Sequence, residues 1–158
     1  MENTALGQEG RSVGVDYNNM ANVLKSQGKR GEAMNMDEKA LAIKVKALGA
    51  EDRSVGNTDG NMANVFQRQG KLDDAMDMYE KALAITIKAL GPEHSSVGLA
   101  YNNMANVLKS QGKLGEAMKM YEKALAIKVK ALGAEHSSVG NTYGNMTNVL
   151  QRQVHLAR

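Results

Sequence analysis

"YNNMANVLKSQGK", residues 17–29, returns unchanged at residues 101–113. Altered versions fill the gaps: "DGNMANVFQRQGK" from Asp59 and "YGNMTNVLQRQVH" from Tyr143. A second phrase fixes the spacing. It reads "LGQEGRSVG" from Leu6, "LGAEDRSVG" from Leu48, "LGPEHSSVG" from Leu90 and "LGAEHSSVG" from Leu132, each start 42 residues after the last. A period of this size marks one supersecondary unit per repeat, stacked on its neighbours. Copies one and three share "KSQGK", while copies two and four share "QRQ", so an 84-residue pair overlies the shorter period.

Each period carries two helical patterns. In copy three, Tyr101, Met104, Ala105 and Leu108 fall at i, i+3, i+4 and i+7, which predicts a helix from Ser96 to Gln111. Ser95 or Ser96 is the expected cap, and Ser12, Ser54 and Ser138 recur in place. Gly112 is expected to end this helix in the left-handed conformation, as Gly28 and Gly70 do in their copies. A second helix is predicted from Leu114 to Leu132, with a stripe of Leu114, Ala117, Met118, Tyr121, Ala124 and Leu125 and a closing Gly133. Neither helix can bury its stripe alone, so pairs must stack. The expected fold class is all-α: an α-solenoid of antiparallel helix pairs with seven main helices. Repeats run over residues 12–53, 54–95 and 96–137, with a half repeat at 138–158, in a single domain spanning 1–158.

The spaced positions Tyr101, Met104, Ala105, Leu108, Gly112, Ala117, Tyr121 and Ala124 resemble the tetratricopeptide repeat. The 42-residue period, the long second helix and the "LGxEH" link resemble its kinesin-light-chain type. The resemblance implies a right-handed superhelix whose first helices line a concave groove that binds proteins or peptides. Three departures stand out. Asp37 replaces the aromatic residue of the second helix in copy one. Asp59 replaces tyrosine in copy two, and Val154 takes the turn-glycine position in copy four. A buried, unpaired aspartate costs a few kcal/mol, which predicts a marginally stable solenoid.

Composition narrows the function. Twenty Lys and Arg against 17 Asp and Glu leave +3, too little to argue for nucleic acid. No cysteine is present, which removes disulfide and thiolate chemistry. There is no signal-peptide pattern at the start and no apolar run of membrane-spanning length, so a cytoplasmic protein is expected. His94 and His136 sit in equivalent links without clustered ligands, so no metal is expected, and the phosphate-loop spacing is missing. The reading is of no enzyme and no cofactor.

The face of the first helices opposite the core carries the candidate site. In copy three it holds Leu99, Asn102, Asn106 and Lys109, spaced for one side of a helix. The same face gives Asn18, Asn22 and Lys25 in copy one, Asn57, Asn64 and Arg68 in copy two, and Asn141, Asn148 and Arg152 in copy four. An asparagine amide offers a donor and an acceptor, matching a peptide unit. Lys and Arg beside it select carboxylates. The expected partner is an extended, acidic peptide or protein segment. The alternative is a self-associating repeat protein, stacked or helix-swapped, with no dedicated ligand.

Overall fold

The computed structural model describes residues 2–158, with side chains at Ala5 and from residue 7 onward. Among these residues there are seven helices: α1 (Glu2–Ser26), α2 (Arg30–Leu48), α3 (Arg53–Arg68), α4 (Leu72–Leu90), α5 (Ser95–Ser110), α6 (Leu114–Leu132) and α7 (Ser137–Leu156). The chain divides into two compact units, residues 1–85 and 86–158, with the boundary inside α4. No helix is long and apolar enough to cross a membrane among the described residues.

The hairpin turns follow from one glycine each. Gly28, Gly70 and Gly112 have φ of +77°, +77° and +78°, a region that side chains with a Cβ avoid. Around Gly28, Lys29 N–H donates to Leu24 O at 2.9 Å and Gly28 N–H to Lys25 O at 3.0 Å. That pair of bonds satisfies the last carbonyls of α1 in a Schellman turn. Gly70 and Gly112 make the same two bonds. Val154 cannot take this conformation cheaply, and α7 continues through it to Leu156. At the end of α6 the closing Gly133 has φ +89° and ψ +151°, an extended positive-φ conformation unlike that of the hairpin glycines.

The helix starts differ from expectation. The caps are Asp52, His94 and His136, not the serines. Asp52 accepts from Ser54 N–H at 2.8 Å. His94 Nδ1 accepts from Ser96 N–H and His136 Nδ1 from Ser138 N–H, both at 3.1 Å. Each cap residue has extended backbone, with ψ between 138° and 144°, as a helix start requires. In copy one Gly10 occupies this place and offers no side-chain acceptor. The link phrase is therefore helical there, and α1 runs on over the last turns of α2. A Cβ on Gly10 would lie 2.3 Å from the Ala47 side chain, so the close approach of the two helices needs glycine.

The core follows the predicted stripes and exceeds them. Met104, Ala105 and Leu108 of α5 are buried, as are Leu114, Ala117, Tyr121 and Ala124 of α6, while Tyr101 is half-buried. A second line is buried too. Val65 of α3 packs with Met62 and with Met34 of α2, beside Leu41, Phe66 and Met78. Val107 and Val149, its equivalents, are wholly buried. α3 therefore buries two faces, one towards Met78 of α4 and one towards Met34 and Leu41 of α2.

Candidate functional site

Their hydrogen-bond partners sort the asparagines into three groups. Asn18 and Asn102 do not belong to an open ladder, which corrects the expectation for both. Lys44 Nζ donates to Asn18 Oδ1 and, at 2.9 Å, to Thr58 Oγ1. Thr58 Oγ1 lies 3.0 Å from Asn18 Oδ1, and Asn18 Nδ2 donates to Asp37 Oδ1 at 2.8 Å. One 84-residue step on, Lys128 donates to Thr142 Oγ1 at 2.9 Å, and Thr142 donates to Asn102 Oδ1 at 3.1 Å. Lys44 and Lys128 are buried. Desolvation holds both ammonium groups below the usual lysine range, with Asp37 pulling Lys44 back upward. A buried cation must find acceptors from its own chain, and Asn18 and Asn102 belong to that supply. The intervening copy has Gly60, Thr86 and Ala100 at these places, so the clusters follow the longer period.

Asn64 and Asn106 form the second group. Tyr79 donates its hydroxyl to Asn64 Oδ1 at 2.5 Å, and Tyr121 donates to Asn106 Oδ1. Burial pushes both phenols up to about 12, so each stays a donor. The carbonyl of each amide is turned to its tyrosine and only the Nδ2 donor remains. Asn22, Asn57, Asn141 and Asn148 are the third group, exposed at the surface.

Asp37 breaks the tyrosine pattern and is not unpaired, against expectation. It is fully buried, and Lys25 Nζ stands 2.8 Å from its Oδ2. Asp59 is also buried, and burial raises its carboxyl to about 6 against the opposing pull of Lys81.

Two pockets gather most of the remaining candidates, one in each unit. The first, of about 350 Å³, brings together Asn22, Lys25, Asn64 and Arg68 with Ser26, Arg30 and Asn61. The second, of about 590 Å³, brings together Lys109, Asn148 and Arg152 with Gln151, His155 and the apolar Leu114 and Leu156. Neither wall contains a carboxylate. Burial lowers the affinity of Lys109 for its proton, and the positive charge of Arg152 lowers it further. Two like charges are thus held together without an anion between them. Asn57 and Asn141 lie in neither pocket. Sequence reasoning missed Arg30 and Asn61. Asn61 lies off the chosen stripe, one residue beyond Gly60. Arg30 opens the second helix, which the reading had given to the opposite face. The capping roles of His94 and His136 were missed as well. The signal was present: the two histidines stand in register with Asp52, a common cap residue.

The folded pattern matches a known family. The family model for the tetratricopeptide repeat matches residues 15–88, 54–128 and 96–156. The chain belongs to the tetratricopeptide repeat family. Among solved structures, BtubC (BKLC) from P. vanneervenii is 25% identical, with a TM-score of 0.80 over 85% of this chain and 54% of that one. A Podosopora anserina protein assigned to the kinesin light chains, with nearly identical TPR-like repeats, is 26% identical. Its TM-score is 0.76 over 86% of this chain and 64% of that one. The chain therefore spans about half the length of the first and under two thirds of the second. The first TPR of Spaghetti (RPAP3), solved with the HSP90 peptide SRMEEVD, shares the fold at 19% identity, with a TM-score of 0.65 over 90% of this chain and 97% of that one. No curated protein matches the sequence. The kinesin-light-chain type of tetratricopeptide repeat is the class to which the period, the helix pairs and these neighbours point.

Proposed function

We propose that this chain is a protein-interaction module, working in the cytoplasm, whose pockets take the carboxylates of an extended acidic peptide. The observation that carries the reading is the pairing of Lys109 with Arg152. Burial and the nearby charge of Arg152 both disfavour the charged form of Lys109, no carboxylate lines the pocket, and a bound anion would favour that form again. Arginine forks accept carboxylates in two-point contact. Asn148 and, in the other unit, Asn22 and Asn64 supply amides for the peptide backbone. The fold can hold such a ligand, since the Spaghetti repeat carries a peptide with two adjacent glutamates and a final aspartate. Neutral hydrogen bonds of about 1 kcal/mol each, offset by ordering a flexible ligand, place the affinity near micromolar. Selection from a random peptide library is the test. Enrichment of Asp and Glu supports the reading; an enriched set without acidic bias refutes it.

Self-association is the second reading, favoured by one comparison between equivalent residues. Val23 of α1 is 55% exposed, whereas Val65, Val107 and Val149 are 2%, 0% and 0% exposed. Met20 is 51% exposed against 6% for Met62. On α7, Leu150 and Val154 are more than half exposed. A second copy could cover such faces by stacking or helix exchange. Light scattering over a wide concentration range decides, and a constant monomer mass removes this reading.

A further inference from the structure

The two pockets are not alike: of the four positions they share in register, the one that changes its chemistry is Arg30. Arg30 of the first pocket corresponds to Leu114 of the second. The first pocket therefore joins three cations from three helices: Lys25 at the end of α1, Arg30 at the start of α2 and Arg68 at the end of α3. Three amides, Asn22, Asn61 and Asn64, line it as well, with Ser26 and Val65. Tyr79 already occupies the carbonyl of Asn64, which leaves that residue to donate. Lys25 is half-committed to Asp37 behind it, so Arg30 and Arg68 carry the open charge. Both are exposed.

A carboxylate has one charge and two oxygens, and two guanidinium forks with neighbouring amides exceed its needs. A phosphate monoester has up to two charges and three strong acceptor oxygens, and paired arginines suit it. The second pocket, with Leu114 in place of the arginine and Leu156 beside it, suits a carboxylate next to an apolar side chain instead. We infer that the Lys25–Arg30–Arg68 pocket is a phosphate site for a phosphorylated residue of the bound peptide. This rests on the peptide-binding reading above and assigns the two pockets different anions. Phosphorylation of the partner would then strengthen its capture through the residue-1–85 unit alone.

Three peptides of one acidic sequence test it, carrying Ser, Glu or phosphoserine at a single position. Each is titrated by fluorescence anisotropy against wild type, Arg30→Leu and Arg30→Lys. The phosphoserine peptide should bind wild type about tenfold more tightly than the Glu peptide, the worth of one added charge-assisted contact. Arg30→Leu should erase that difference, weakening the phosphoserine peptide about tenfold more than the Glu peptide, because it reproduces the residue found at 114. Arg30→Lys should restore part of it. Arg30 is exposed at the first position of α2, and unchanged circular dichroism confirms that the variants fold. Equal binding of the phosphoserine and Glu peptides by wild type overturns the inference and spares the peptide reading. Failure of all three peptides to bind sinks both. Tighter binding to phosphoinositide vesicles than to the phosphopeptide would place a lipid headgroup in the pocket and likewise overturn it.

Discussion

Asp59 offers a sharp energetic test. It lies in α3, is 4% exposed, and stands where Tyr17, Tyr101 and Tyr143 stand in the other copies. Burial raises its carboxyl from 3.8 to about 6, with Lys81 opposing the shift. The folded chain therefore holds this proton more tightly than the unfolded chain does. Below pH 3.8 both states are protonated and the group costs nothing. Between 3.8 and about 6 the folded state binds more protons, so stability falls as pH rises, and the loss is complete above 6. Two pKa units correspond to about 3 kcal/mol, and water reaching the edge of the carboxyl reduces this to about 2 kcal/mol. Asp59→Asn keeps the shape and removes the charge. Urea denaturation at pH 4 and pH 7 should show similar stability for both proteins at pH 4. At pH 7 the variant should gain about 2 kcal/mol. Asp59→Tyr, which also restores the aromatic packing of the other copies, should raise the melting temperature. A variant less stable than wild type at pH 7 would refute the reasoning, because it would mean that the carboxylate has a stabilising partner.

Substitutions at two other positions bear on the buried clusters and the caps. Lys128→Met removes the charge with an unbranched side chain one atom shorter, leaves Thr142 bonded to Asn102 and Ser138, and should change stability at pH 7 by less than about 1 kcal/mol or raise it. The lysine's proton is held less tightly in the fold, so wild-type stability should climb as pH rises towards 10.5, and the variant should flatten that climb in thermal melts. At the start of α7, His136→Ala removes an accepting side chain and should cost about 1 kcal/mol, whereas His136→Asp, copying Asp52, should cost nothing or stabilise. Equal melting temperatures for the two variants would contradict the capping role.

The repeat architecture was legible because repetition makes its own evidence. Three copies of "NMANV", a fourth reading "NMTNV", and four of the link phrase fixed the period, and the apolar spacing fixed two helices within it. The turn glycines were legible for the same reason: Gly28, Gly70 and Gly112 share one φ because they share one backbone requirement. Details that depend on a partner across the packing were harder. The unbroken α1 depends on Gly10 lacking a cap and fitting against Ala47, a long-range contact that no local pattern records. The inward turn of Asn18 and Asn102 depends on Lys44, Lys128, Thr58 and Thr142, which lie 26 to 40 residues away along the chain. A helix stripe separates faces, but it does not say which polar face a buried lysine will claim. Lys25, Arg68, Lys109 and Arg152 were found because they recur in register on the same face as the asparagines. Arg30 was missed because it comes from the helix that the stripe argument set aside.

The most direct measurement is isothermal titration of an acidic peptide, drawn from the library selection, into wild type and into the double variant Lys109→Ala/Arg152→Ala, at two salt concentrations. The account predicts micromolar binding by wild type that weakens with salt, and a loss of tenfold or more, about 1.4 kcal/mol, in the double variant with its helix content unchanged. Equal affinity for both proteins, indifferent to salt, would contradict it.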